Sequence, residues 1–511
     1  MLKRTAIIDI GSNSARLVIF EQTSRYGFHL ICEQKSKVRI GEGAYEKNGY
    51  LQPIGIRRAY LALKSFLHTI NKYQVNTIQC VATSALRDAP NGADFTTWIQ
   101  KELKLSIQII DGQTEAKYGA IAANNLLSLD RYASSVTIDI GGGSSDLALI
   151  QNGKIIDTYS LDLGTVRLKE LFFDKDEKNN FSTHNKAKKF IKKALQALPP
   201  HFKSPVAVGI GGTARTLSKA IMKHTDYPLD KLHGFTYTIE SYQTYLTEIS
   251  LSTIKNLKHF ALNKNRFDTI REGTMIFIEI LSAIEAKEVI SSSVGVREGV
   301  FLEQFLKNKA LKFPQDINPS IHSILDRFKP LITIEKKRKM KRKIALQLYE
   351  VLQEHILDNK RYEKELLYAL QLTNIGKNLT IYKAHQHAFY ITKQELNYGF
   401  THQESLLIAM LLRMHGKKLL HKTLYLQYHT LLPQKEHLRW LSFIYSLSIY
   451  LHEASNQAHF RFTFKKKILT IHANKPLYLA IEKIKALKKP IDFIIIIKDE
   501  TALPHCKALG I

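Results

Sequence analysis

The sequence predicts a duplicated α/β protein, with two α/β units in tandem followed by a mainly helical segment that ends in a small β tail. Three observations carry this reading. The pattern strand, Asp-Ile-Gly, small polar turn, strand occurs at Thr5–Phe20 and again at Val136–Ile150, its aspartates 130 residues apart (139 − 9). Self-similarity on this scale is weighed before any single motif. Strand-like and helix-like periodicities alternate through residues 5–286, the signature of α/β units. From Ala345 to about Ala454 apolar residues recur at i, i+3 and i+4, the spacing of amphipathic helices.

The elements follow in order. Thr5–Ile10 reads as a strand, Gly11–Ser14 as a turn and Ala15–Phe20 as the returning strand. Helical periodicity appears in Ile56–Tyr73 and Glu115–Leu127, with strands expected at Thr77–Thr83 and Leu105–Ile110 between them. The second unit repeats the opening: strand Val136–Ile140, turn Gly141–Ser145, strand Asp146–Ile150. A strand at Pro205–Ile210, a glycine turn, and helices at Thr213–Lys223 and Thr274–Ala286 complete it. Pro314 and Pro319 punctuate a change of character, and the basic run 335–343 opens the helical stretch, either as a solvated helix face or as the wall of a polyanion channel. In the tail Phe460–Phe464 alternates, Ile468–His472 answers it, and Ile491–Ile497 has the continuous apolar pattern of a buried strand. These signals divide the chain into domains at 1–125, 126–307 and 320–511.

Composition narrows the class. With 511 residues and a 44% hydrophobic fraction the chain can bury several cores, which excludes wholesale disorder. Lys and Arg number 74 and Asp and Glu 46, so the net charge is +28. Such an excess concentrates polyanions, whether polyphosphate, nucleotides, nucleic acid or acidic lipid, without choosing among them, or else reflects lysine enrichment throughout the host. Cys32, Cys80 and Cys506 form neither a C-x-x-C pair nor a zinc spacing, which points to a reducing, cytoplasmic setting. The opening residues are too short for a signal-peptide core, and no apolar stretch is long enough for a membrane span, so a soluble protein is expected.

The turns carry the chemistry. In Asp9-Ile-Gly11-Ser12-Asn13-Ser14, glycine allows a tight turn whose successive N–H groups can hold an anion, and Asp9 could hold Mg²⁺ or its water. An ordinary hairpin turn is the plainer alternative. Asp139-Ile-Gly141-Gly142-Gly143-Ser144-Ser145-Asp146 is the stronger signal, because three successive glycines cost backbone entropy that a plain hairpin does not require. Gly211-Gly212-Thr213 follows a strand and opens a helix, whose free N–H groups favour an anion, and Arg215 lies one turn further on. Arg87 follows a strand and suits bidentate phosphate binding, or a surface salt bridge. Glu115 opens a helix, as a proton acceptor for water or as a carboxylate favoured by the helix dipole.

Taken together, Asp9–Ser14, Ala82–Asp88, Asp111–Ala116, Asp139–Ser144, Leu163–Arg167, Gly209–Thr213 and Val294–Gly299 closely resemble, in order, the motifs of the exopolyphosphatase and guanosine-pentaphosphate phosphatase (Ppx/GppA) family. The resemblance covers roughly residues 1–305. It implies two actin/sugar-kinase-like (ribonuclease H-like) domains with the active site in the cleft between them. It also implies Mg²⁺-dependent hydrolysis of a terminal phosphoanhydride in polyphosphate or guanosine pentaphosphate. By motif, Gly11 to Ser14, Gly141 to Ser144 and Gly211 to Thr213 would hold phosphates, Glu115 would be the general base, Arg87 a phosphate clamp, and Asp139, with Asp9 and Asp146, the metal contacts. The family commonly has Ser-Thr-Glu after the glycines of the second turn, and here stands Ser144-Ser145-Asp146, with a carboxylate one methylene shorter.

Residues 320–455 resemble the family's HD-type helical domain, but the metal-binding His-Asp pair is replaced at Leu372-Thr-Asn-Ile-Gly376, with His385, His387, His402 and His415 nearby. That segment is expected to bind substrate or mediate a homodimer rather than to form a second catalytic centre. No specific nucleic acid is expected. An ATP-dependent kinase on the same fold and a silent polyphosphate- or alarmone-binding regulator remain as alternatives.

Overall fold

The computed structural model describes residues 3–44, 47–173, 181–307, 310–328, 335–355, 361–414, 422–454 and 458–499. The chain divides into two compact units. Residues 1–323 with 397–401 form one; residues 324–396 with 402–511 form the other.

The first unit holds two sheets. Strands β1 (Lys3–Ile10), β2 (Ala15–Gln22), β3 (Phe28–Ser36), β4 (Thr77–Ala82) and β5 (Gln108–Ile109) form the first, in the order β3-β2-β1-β4-β5. Strands β6 (Ser134–Ile140), β7 (Ser145–Gln151), β8 (Lys154–Leu161), β9 (Val206–Ile210), β10 (Thr236–Thr238) and β11 (Glu288–Ser291) form the second, in the order β10-β11-β9-β6-β7-β8. Leaving out the edge strand β10, the second sheet repeats the first, with two antiparallel hairpin pairings followed by two parallel ones. The duplication read from the two Asp-Ile-Gly hairpins is therefore a duplication of whole sheets. The strand expected at Leu105–Ile110 shrinks to Gln108–Ile109.

Two helices lock the halves together. The Gly112–Leu126 helix lays Ala116, Ala120 and Ala123 on Ala148, Ile150, Val206 and Val208 of the second sheet. Small side chains let it sit close. The Val296–Phe305 helix does the reverse, burying Val296, Val300 and Phe301 against Ile7, Val18, Phe20 and Val81 of the first sheet. Each sheet is thus covered by a helix from the other half of the chain, and burial of this apolar area is the main force holding the cleft's walls.

The second unit is mainly helical, with its longest described helix at Lys435–Ala454 and a sheet in the order β12 (Phe460–Lys465), β13 (Ile468–Ala473), β14 (Ile494–Asp499). Trp440 stacks on Phe493 at 5.8 Å between ring centres. The expectation of a buried strand at Ile491–Ile497 needs correcting. β14 starts at Ile494, pairs among the described residues only with β13, and leaves Ile494 60% and Ile496 39% exposed. At the replaced His-Asp position the Gln371–Leu372 helix end gives way to a turn, where the Thr373 hydroxyl meets that of Tyr445 at 3.2 Å. His402 is buried, whereas His415, Cys506 and the side chains of 336–339 lie outside the described residues. Among the described residues no helix is long and apolar enough to cross a membrane.

Candidate active site

Register places the two hairpins alike. Asp9 is the last residue but one of β1, opposite Arg16 on β2, and Asp139 is the last but one of β6, opposite Asp146 on β7. The same bond closes each tip, from Gly11 N to Ser14 O at 3.2 Å and from Gly141 N to Ser144 O at 2.9 Å. The tips face each other closely enough that a Cβ on Gly142 would lie 2.8 Å from that of Ser12. Together they line a cavity of about 140 Å³, with Gly11, Ser12, Asn13 and Ser14 on one wall and Gly141, Gly142 and Ser144 on the other. The third turn supplies Gly211 and Gly212 at the start of the Gly211–His224 helix. Gly211 has φ +75°, and a Cβ there would stand 2.0 Å from Asp139 Oδ1, so a side chain would strain the turn and displace the carboxylate.

Neighbouring segments brace the turns. Thr165 N and Val166 N donate to the carbonyls of Gly141 and Gly142 at 3.0 and 2.9 Å. Arg39 N and Gly41 N donate to the carbonyls of Asn13 and Ser12 at 3.0 and 3.2 Å. Anion binding at such turns depends on fixed N–H directions, which this bracing provides.

Glu115 lines the cavity from the first turn of the Gly112–Leu126 helix, whose cap is Asp111 accepting from Thr114 N at 2.6 Å. The Arg87 guanidinium stands 3.5 Å from Glu115 Oε2 and donates to the Ile110 carbonyl at 3.2 Å. Arg87 thus sits behind Glu115, outside the cavity lining. Gly143, Thr213 and Asp146 also lie outside it, and Thr213 is 1% exposed. Asp146 accepts from Ser160 Oγ at 2.5 Å and from Ser144 Oγ at 3.1 Å.

The charges explain the proton affinities. Burial raises the pKa of Glu115 well above its usual value, and Asp146, Asp139 and Asp9 add to the rise. Burial likewise pushes Asp146 up to about 7 and raises Asp9 and Asp139. Against these carboxylates stand Arg16, Lys35, Arg215, Arg266 and Arg297, all lining the cavity. Burial, with Arg16 and Arg297 beside it, brings Arg215 down to about 10. Arg266 Nε is buried and takes no hydrogen bond among the described residues. Asp268 is the negative charge beside it, and the unused Arg266 donor suits an anion in the cavity. A second cavity of about 880 Å³ continues from the first, sharing Arg16, Lys35, Arg215 and Arg266.

Asp9 and Asp139 fit a divalent cation. Each lines the cavity near the end of a central strand, and burial raises the pKa of each, a cost to the charged form that a bound cation would offset. Among the described residues no group of three or more His, Cys, Asp or Glu forms a metal site, but Mg²⁺ commonly takes one or two carboxylates and completes its shell with water and phosphate.

Arg266 is the functional candidate that sequence reading misses. It sits on the short Lys264–Arg266 turn, where no periodicity or glycine pattern marks it. Arg297 falls within the Val294–Gly299 motif, although nothing in that motif alone assigns it to the cavity.

A duplicated pair of sheets with two Gly/Ser tips facing across a cleft defines an actin-like α/β protein. The chain belongs to the Ppx/GppA phosphatase family, whose model matches residues 18–308; the model for domain III of Ppx/GppA phosphatases matches residues 320–486. A bifunctional 3-dehydroquinate synthase/phosphatase of Fusobacterium nucleatum is 31% identical over 307 residues, which is 58% of this chain and 46% of that relative, so this chain matches less than half of the relative's length. Among solved structures, the Ppx/GppA family member of Aquifex aeolicus is 28% identical, with a TM-score of 0.51, over 60% of this chain and 99% of that one. An exopolyphosphatase from Cytophaga hutchinsonii is 21% identical, with a TM-score of 0.55 over 60% of this chain and 99% of its own, a likeness of fold.

Proposed function

We propose that the chain hydrolyses the terminal phosphoanhydride of a polyanion, inorganic polyphosphate or guanosine pentaphosphate, releasing phosphate. The observation that carries this reading is the pair of facing glycine tips with Glu115 lining the cavity between them. Membership of a phosphatase family and similarity to a bifunctional synthase/phosphatase support it.

In this reading the amides and hydroxyls of Gly11–Ser14 and Gly141–Ser144 hold the outer phosphates, and the start of the Gly211–His224 helix holds the next. Arg16, Arg215, Arg266 and Arg297 balance the charge, since phosphoryl transfer needs placement and neutralisation more than covalent help. Mg²⁺, when bound, would be held by Asp9 and Asp139; it would polarise phosphate oxygens and offset the carboxylates that raise the Glu115 pKa. Glu115 accepts one proton from water while the water oxygen bonds to the terminal phosphorus. The bridging P–O bond breaks, and the shortened chain leaves with its electron pair. Arg87 orients the Glu115 carboxylate, and Asp146 supports the second tip through its two serine hydroxyls.

Glu115→Gln tests the assignment. Turnover should fall by about two to four decades, the usual worth of a general base, while substrate still binds. Free phosphate is measured from polyphosphate and Mg²⁺ with no nucleotide present, and near-normal release by the variant would refute the role. A kinase on this fold would release none from either protein.

A further inference from the structure

The loop that carries Arg266 belongs to the second half of the unit, yet it is fastened to the first half. Lys37 Nζ donates to the Asn265 carbonyl at 3.1 Å, and Arg39 Nη2 meets Asp268 Oδ2 at 3.2 Å. Lys37 and Arg39 follow β3 directly, in the stretch that braces the first glycine tip through the Asn13 and Ser12 carbonyls. Across the cleft, Asn263 caps the turn by accepting from Asn265 N at 3.0 Å. The Arg266 guanidinium lies against Gly212, where a Cβ would come within 2.2 Å of Nη2. Arg39 therefore joins the first tip, through its backbone, to Asp268 across the cleft, and Asp268 is the negative charge beside Arg266 over the third turn.

Arg266 and Asp268 each keep a polar atom in reserve. Arg266 Nε and Asp268 Oδ1 are both buried and take no hydrogen bond among the described residues. Arg39 Nη1 has a further partner in Glu42 Oε1 at 3.3 Å, so the pairing with Asp268 engages one side of its guanidinium. The side chains of Arg39 and Asp268 are 38% and 30% exposed. A pair this open is too weak to lock a cleft, but strong enough to bias an open–closed equilibrium severalfold.

We propose that Arg39 and Asp268 are positioning residues whose ion pair, with the Lys37–Asn265 bond, clasps the two halves and seats Arg266 in the phosphate cavity. Its kinetic consequence rests on the phosphate-substrate reading above; its geometry does not. Binding then draws on a clasped population that the pair maintains, so loss of either partner acts on apparent affinity more than on the chemical step.

Asp268→Asn gives an opposed prediction. If Asp268 mattered only as a negative charge beside a polyanion site, removing it would tighten binding. The clasp requires the reverse: Asp268→Asn and Arg39→Gln each raise KM for polyphosphate by about three- to tenfold, with kcat within about twofold. The double variant should be no worse than the worse single, since both remove one interaction. A lowered KM for Asp268→Asn, or additive losses in the double variant, overturns the proposal. A second measurement needs no substrate. In the free full-length protein, Arg39→Gln should speed amide hydrogen exchange in the peptide covering residues 262–270, which lies in the other half. Unchanged exchange there also overturns the clasp. If the wild-type protein releases no phosphate from polyphosphate, the substrate reading falls while the exchange measurement still decides the clasp.

Discussion

Lys35 is the side chain whose charge should bound the working range of the site on the alkaline side. It lies on β3 opposite Arg16 and lines both cavities. Burial, then Arg16, Arg266 and Lys37, bring its pKa from 10.5 down to about 8. It is therefore a cation below pH 8 and loses that charge as pH rises through this value. Glu115 has the opposite sign: its raised pKa leaves it protonated at low pH and a base only above its pKa. The profile of kcat/KM, which reports the free enzyme, should rise on the acid side as Glu115 ionises and fall on the alkaline side near pH 8 as Lys35 discharges. Lys35→Arg should abolish the alkaline fall, because a guanidinium keeps its charge there. An unchanged alkaline limb in that variant would assign the fall to another group. Residues of this kind differ in how far the sequence reveals them. Asp9, Asp139 and Glu115 stand at strand ends or a helix start next to glycine, where local pattern marks them. Arg266 lies against Gly212 and beside Asp268, which Arg39 holds from 229 residues away in the chain, contacts that leave no local trace.

The same contrast appears among the elements. The central hairpins were legible because their strands are buried on both faces and read as apolar runs. β3 was not, because it is an edge strand whose Glu33 and Lys35 line the cleft, so function displaces apolar alternation. The Val296–Phe305 helix also lacks a one-sided stripe, since the seven residues from Val296 to Leu302 are all buried. β14 erred in the other direction: four isoleucines suggest a buried strand, but the third strand of a three-stranded sheet has an open edge. The importance of the Val296–Phe305 helix can be measured through Phe301. Its ring stacks on Phe20 at 4.4 Å and lies 4.9 Å from Phe28, with 4% exposure. Phe301→Ala should cost about 3–5 kcal/mol through lost burial and an unfilled cavity. Denaturant unfolding of the purified variant gives the number directly. A loss below about 1 kcal/mol would mean that the helix is not what holds the first sheet to its partner.

At the scale of the molecule the charge has two distinct parts. The cavity cations Arg16, Lys35, Arg215, Arg266 and Arg297 are partly answered by Asp9, Asp139 and Glu115 in the same lining. Five cations against three carboxylates leave the lining a small positive excess, so most of the +28 lies outside it, and such an excess favours polyanions at a distance. Exposed charges act over a Debye length that shrinks with salt, whereas buried contacts are screened much less. These two parts predict different behaviour for the two candidate substrates. A long polyphosphate extends past the cavity and meets the surface charge along its length; guanosine pentaphosphate places most of its charge within reach of the tips. Raising ionic strength from about 0.02 to about 0.2 M should lower kcat/KM for long polyphosphate by about tenfold, chiefly through KM. For guanosine pentaphosphate the fall should be only about two- to threefold. Equal slopes for both would show that the cavity cations alone govern capture and that the surface excess serves no part in it. A steeper slope for the long chain, with kcat nearly constant, would show that the cleft receives polyphosphate already gathered by the field of the whole protein.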